Sequence, residues 1–374
     1  MPGRALRAVR SGAMEPVRYG VIGTGMMGIE HISNLLAIDG TQVTALADPD
    51  PRSLDQAHHA LGTDARVTRF EDHRDLVASG TCDAVVIASP NHTHHDVLLD
   101  VLASPLHVLV EKPLCTTVGD CQDVVTAAAH GPPGRVVWMG LEYRYMPPTQ
   151  RLLAAVRNAT VGDVKMVTVR EHRFPFLHKV GNWNRFNRYT GGTLVEKCCH
   201  YFDLMNVVVD RRPRRVMASG SQAVNHLDER YDGEVPDVID NAYVVVEYDG
   251  GVRAMLDLCM FAEASRNEQE LCVVGDAGKV EALVSEGILR IGRRSDGVGA
   301  VTDHDTADPR VRFQGFHHGS SYLEHLDFLA AIRAGTPPLV TLEDGLWSVA
   351  VGQAAHRSID EDRWVDVDEL FEGP

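Results

Sequence analysis

The chain has 374 residues, 44 % of them apolar and 24 % charged, which is enough for two domains with separate cores. Its formal net charge of −16 argues against a nucleic-acid or anionic-membrane partner, and no apolar run approaches the ~20 residues of a membrane span. Residues 1–16 read as a flexible extension: Arg4, Arg7 and Arg10 are unpaired in sequence and no long apolar stretch accompanies them, so no export signal is recognised. Seven cysteines without C-x-x-C spacing fit reduced thiols in a cytoplasmic protein.

Val17 to Ile22 is an apolar run that stops at Gly23, and Ile29, Ile32, Leu35 and Leu36 then recur at helical spacing. Gln42–Ala47, Ala84–Ala88, Leu106–Val110 and Val136–Met139 read as further strands, with helical stretches between them. Alternation of this kind over residues 17–142 predicts a doubly wound parallel sheet, a Rossmann domain. The pattern changes after Tyr143. Val164–Phe174 is long and β-rich, and Ala242–Tyr248 and Val252–Met260 flank the hairpin turn Asp249-Gly250-Gly251. Strands continue at Leu271–Val274, Val280–Leu283 and Ile288–Ile291, before helices over Ser320–Ala334 and Leu342–His356. Residues 143–374 are therefore expected to form a second α/β domain around a large, mostly antiparallel sheet.

The first strand–helix turn reads Gly23-Thr-Gly25-Met26-Met27-Gly28, a dinucleotide-binding pattern in its proper context. Gly23 permits the tight turn, Gly25 admits the pyrophosphate, and Gly28 brings helix and strand together. Asp48 ends the second strand, where a carboxylate suits the ribose hydroxyls and repels a 2′-phosphate; NAD is favoured over NADP. A plain turn-forming aspartate before Pro49 is the competing reading.

Three segments carry chemistry. Ser89-Pro90-Asn91 with His94, and Glu111-Lys112-Pro113, each follow a buried strand, and ligands in open α/β sheets bind outside such ends. The third runs from Gly191-Gly192 to Asp203. A helix drawn from Thr193 places Leu194, Cys198, Tyr201 and Phe202 on one face, and Glu196, His200 and Asp203 on the other. That second face is either solvated, with Thr193 and Glu196 forming a capping box, or it lines a cleft with His200 as a general base. H-E-x-x-H is absent, and no third ligand is spaced to join Glu196 and His200, so no metal is expected.

Together with Tyr143-Arg144-Tyr145, Pro147 and Tyr322-Leu-Glu-His-Leu-Asp-Phe328, these segments resemble the glucose–fructose oxidoreductase and inositol dehydrogenase family (Gfo/Idh/MocA) from about Val17 to Val367. The resemblance implies that Lys112 and His200 are the catalytic pair, with which of them is the formal base left open. It places Asn91 and His94 near the nicotinamide ribose, His94 more as a structural than a catalytic group, and counts Ser89, Glu111 and Lys112 with them among the cofactor-binding residues. The family often has Asp at Glu196 and Gly at Cys198, so Glu196 is a third catalytic candidate. Tyr145, Trp183, Arg185, Asp203, His318 and Tyr322 are the candidates for substrate contact. The function implied is NAD-dependent oxidation of a secondary alcohol on a sugar, inositol or aminocyclitol, in a homodimer or homotetramer. A glycoside-cleaving enzyme that uses NAD on the same fold, and a catalytically silent regulator, are the alternatives.

Overall fold

The computed structural model describes residues 15–62 and 64–371. The expected extension, residues 1–16, lies outside the described residues except for Glu15 and Pro16.

Six parallel strands form the first sheet: β1 (Val17–Ile22), β2 (Thr41–Ala47), β3 (Thr68–Phe70), β4 (Ala84–Ile87), β5 (His107–Glu111) and β6 (Val137–Gly140). Their order is β3-β2-β1-β4-β5-β6, the doubly wound arrangement that opens a crevice where the winding reverses, between β1 and β4. Ala84, Val85, Val86 and Ile87 are fully buried, as expected of a strand covered by helices on both faces. Helix α1 (Met26–Leu36) follows the glycine turn. Strand β3 is short and largely exposed, so it leaves little apolar signal in the sequence.

The second sheet has nine strands: β7 (Val164–His172), β8 (Pro213–Ser221), β9 (Asn241–Tyr248), β10 (Arg253–Cys259), β11 (Gln269–Gly275), β12 (Gly278–Leu283), β13 (Ile288–Arg293), β14 (Thr302–Asp305) and β15 (Val365–Asp366). In the order β14-β13-β12-β11-β7-β10-β9-β8-β15, only β7 and β10 pair in parallel. β9 and β10 form the expected hairpin. β8 was not anticipated; it opens with Pro213-Arg214-Arg215, a charged start that masks its alternation.

Along β9 and β10 every second residue is buried. That inner face carries the helix Cys199–Val209, and the helix Leu342–Glu361 packs on both this helix and β8. The packing is close: a Cβ on Gly352 would sit 2.6 Å from Leu194 O. The helix Ser320–Ala334 turns back against α1, so the second half of the chain closes over the crevice of the first.

Candidate active site

The glycine turn fits a dinucleotide. Gly23 has φ +84°, and a Cβ there would lie 2.4 Å from Ser89 N. A Cβ on Gly28 would lie 2.1 Å from Gly23 O, while one on Gly25 would meet nothing within 4 Å. Gly25 therefore borders open space, at the start of a helix that has no side-chain cap. Uncapped N–H groups facing a cavity form an anion cradle, and Met26 and Met27 line it. Asp48 lines the same cleft. Its carboxylate accepts Thr24 N–H at 2.7 Å and Asp50 N–H at 2.9 Å. The turn-forming reading of Asp48 therefore holds, and the same carboxylate lines the cleft.

The cleft has a volume of about 1240 Å³ and runs from this turn to Lys112, Glu196 and His200. Ser89, Glu111, Trp183 and His318 also line it. Lys112, at the end of β5, donates from Nζ to Glu196 O at 3.1 Å. Burial opposes its ammonium, but Cys199, Glu196, Glu111 and Glu142 outweigh that and hold its pKa above the ordinary value. His200 is pushed the other way. Burial first, then Lys112 and Lys197, keep its pKa well below the usual imidazole range. A cationic lysine and a neutral imidazole thus share one cavity.

The solvated-face and capping-box readings of the Gly191–Asp203 segment are both corrected. Glu196, His200 and Asp203 are 2 %, 2 % and 1 % exposed. The continuous helix is also corrected: one turn, Thr193–Glu196, precedes a separate helix, Cys199–Val209. Thr193 Oγ1 donates to Ile239 O at 2.6 Å instead of capping. Glu196 accepts from Lys179 Nζ at 3.4 Å through one oxygen, and its other oxygen is buried without a partner.

Other predicted residues turn away from the cleft. Asp203 is locked to Arg144 by bonds of 2.7 and 2.5 Å. Arg185 is buried against Glu229 at 2.9 Å. Tyr145 packs beside Trp138, and Tyr322 points its hydroxyl at Ala37 O, 3.5 Å away. These four are corrected from substrate contacts to structural residues. Each has a tertiary partner that no local periodicity announces. His94 spans the carbonyls of Pro113 and Ser89 at 2.8 and 3.0 Å, and the Asn91 amide donates to Thr190 O at 3.4 Å. Both brace the loops at the strand ends rather than line the cavity.

Several groups were missed. Glu142 follows β6, and its buried oxygens have no hydrogen-bond partner. It lies 3.6 Å from His200 Nε2 and 3.5 Å from His317 Nδ1. Lys197 donates to Tyr143 OH at 2.5 Å and pairs with buried Glu171 at 3.2 Å. Burial lowers its pKa to about 8 against the pull of Glu171. Tyr143 stacks on His200 with centroids 3.9 Å apart. The strand-end rule that selected Lys112 also reaches Glu142, two residues past β6. Behind Lys112, Glu111 accepts from His31 at 2.9 Å, and His31 meets His325 at 2.8 Å.

Residues 17–140 match the oxidoreductase family's NAD-binding Rossmann fold, and residues 154–367 match its C-terminal alpha/beta domain. The chain is 27 % identical over 361 residues to a myo-inositol 2-dehydrogenase of Thermotoga maritima, covering 95 % of this chain and all of that one. It is 28 % identical over 362 residues to inositol 2-dehydrogenase 1 of Saccharopolyspora erythraea, covering 96 % and 98 % of the two chains. An oxidoreductase domain protein from Kribbella flavida superposes with a TM-score of 0.82 at 21 % identity, over 95 % of this chain and all of that one. Levoglucosan dehydrogenase in complex with NADH and levoglucosan gives 0.82 at 18 % identity, over 94 % of this chain and all of that one. With both halves matched in order, the chain belongs to the Gfo/Idh/MocA oxidoreductase family.

Proposed function

We propose that this oxidoreductase removes hydrogen from a secondary alcohol on a cyclic polyol, a sugar, inositol or aminocyclitol, using NAD. The reading is carried by Lys112 and His200 lining the same cleft as the glycine turn. A bound nicotinamide supplies the hydride acceptor. His200, neutral in its buried setting, takes the hydroxyl proton. Lys112, kept as an ammonium, donates to the same oxygen and steadies its developing negative charge. The unpartnered oxygens of Glu142 and Glu196 offer acceptors that a polyhydroxylated ring satisfies.

Charge favours NAD over NADP. Asp48, Asp50, Glu71 and Asp72 line that end of the cleft, while Arg52 is paired with Asp50, and Arg74 with Asp72 and Asp100. No unpaired cation among these residues faces a 2′-phosphate. None of the described helices is long and apolar enough to cross a membrane, and the cysteines are unbridged, which favours a reducing cytoplasm.

The oligomer proposed uses the outer face of the nine-stranded sheet. Cys272, Thr168, Met255, Val245 and Met217 lie in one row across five strands, with exposed Met166 and Tyr243 beside them. An uncovered stripe of this kind is suited to a second copy. Met255→Glu is expected to lower the mass measured by light scattering; a monomeric wild type, or an unchanged mass in the variant, removes the proposal.

The function is tested by NADH formation over a panel of inositols, aldoses and anhydro-sugars, with NADP⁺ as control. Release of an aglycone without net NADH points to glycoside cleavage. NAD binding without turnover of any substrate points to a sensor.

A further inference from the structure

Glu142 is a buried carboxyl at the wall of the catalytic cleft. No hydrogen bond anchors either of its oxygens, although a carboxyl buried for packing alone is normally satisfied. Its neighbours form a graded line. The side chain of His200 is 2 % exposed, that of Glu142 2 %, and that of His317 23 %. Glu142 Oε1 stands 3.6 Å from His200 Nε2 on one side and 3.5 Å from His317 Nδ1 on the other. These gaps are too long for hydrogen bonds, but a small side-chain rotation or one water closes them, and such contacts commonly tighten in the substrate complex.

We propose that Glu142 receives the proton that His200 takes from the substrate hydroxyl and hands it to His317, which releases it at the cleft wall. The inference rests on the dehydrogenase reading above. The substrate O–H bond breaks and an N–H bond forms at His200 Nδ1, which has no other partner. The proton on His200 Nε2 moves to the Glu142 carboxylate, and from there to His317 Nδ1. His317 Nε2 loses its own proton to water, and both rings end neutral. The C–H electron pair leaves with the hydride to the oxidised nicotinamide, so charge and electrons balance.

The surroundings make the transfer from His200 to Glu142 downhill, whereas His317, whose pKa burial takes to about 3, passes the proton on only as its Nε2 proton leaves in the same step. His200 holds a proton weakly for the reasons given. Burial, and then Glu111, push the Glu142 pKa up to about 8 against Lys112 and Lys197. The groups facing Glu142 are Glu111 at the end of β5 and Lys112 just past it, Lys197, Cys199 and His200 around the start of the helix Cys199–Val209, His317, and Glu324 from the helix Ser320–Ala334. Lys197 also titrates at about 8, so a pH profile of the wild type alone does not identify the group.

Oxidation needs Glu142 as the carboxylate, so kcat/KM is expected to rise as pH passes through about 8. Glu142→Gln is expected to flatten that rise and to lower kcat/KM about 10-fold to 100-fold at the alkaline end, while Glu142→Asp keeps a break. The experiment uses the full chain with NAD⁺ and the best substrate of the panel. A second readout needs no turnover. In ¹⁵N-histidine-labelled protein without substrate, the His200 and His317 nitrogen signals should shift as Glu142 titrates, and this shift should vanish in Glu142→Gln. A break retained in Glu142→Gln assigns the titration to Lys197 and overturns the relay, as does a wild type whose histidine signals do not move through that range. Absence of NADH from the whole panel removes the dehydrogenase reading itself, and the relay with it.

Discussion

Lys112 is where one side chain decides most. Its side chain is half-buried, its ammonium donates to the backbone oxygen of Glu196, and Cys199 with the nearby carboxylates holds its pKa up. Lys112→Ala removes the group proposed to donate to the developing alkoxide and leaves the glycine turn untouched. Turnover is expected to fall by at least ~100-fold, with NAD affinity, measured by calorimetry, nearly unchanged. Loss of both together would assign Lys112 to cofactor binding. That Lys112 lines the cleft was legible from its place at a strand end, whereas for His200 periodicity left two readings open and only the family resemblance pointed to the cleft. The roles of Asp203 and Arg185 were not legible, because their partners, Arg144 and Glu229, are distant in sequence and a paired charge looks the same as a free one. Lys197 was hidden by its setting between Glu196 and Cys198, where a lysine ordinarily reads as solvated.

At the scale of elements, the first turn separates two uses of glycine that the motif alone lumps together. A Cβ at Gly28 collides with the Gly23 carbonyl, whereas one at Gly25 projects into the empty cleft. Gly28→Ala is therefore expected to destabilise the fold by about 1–3 kcal/mol, seen as a lower Tm. Gly25→Ala is expected to leave Tm in place and weaken NAD binding. Equal effects on Tm would mean that the turn is looser than its geometry indicates. Apart from the short, exposed β3, the parallel strands were readable because burial on both faces writes an uninterrupted apolar run. The break between Thr193–Glu196 and Cys199–Val209 was not. Both pieces keep apolar residues at helical spacing, and the break comes from tertiary bonds such as Thr193 to Ile239.

For the whole molecule, the burial of neutral histidines sets the response to acid. Burial is the leading cause that holds His94, His200 and His325 below the ordinary imidazole pKa, and it takes His317 to about 3 and His356 to about 4. The unfolded chain binds these protons first, so stability is full above pH 6.5 and is lost as pH falls toward the folded values. Each such histidine costs about 1.4 kcal/mol per pH unit below its unfolded pKa. Tm is expected to decline already between about pH 6.5 and 5, ahead of carboxylate titration; a flat Tm across that interval would show that these imidazoles are hydrated.

The size of the shared cleft has a kinetic consequence. Ligand sites commonly measure about 300–1,000 Å³, and this one is larger at about 1240 Å³. A lone polyol would face bulk water on the side where the pyridine ring belongs, so its enclosure is complete only after the dinucleotide has arrived. On the proposed function, an ordered addition is expected: coenzyme enters first and departs last. Initial-rate patterns should show NADH competing with NAD⁺ but not with the polyol, and calorimetry of the coenzyme-free protein should detect little polyol affinity. Equal affinity with and without coenzyme would make the order random.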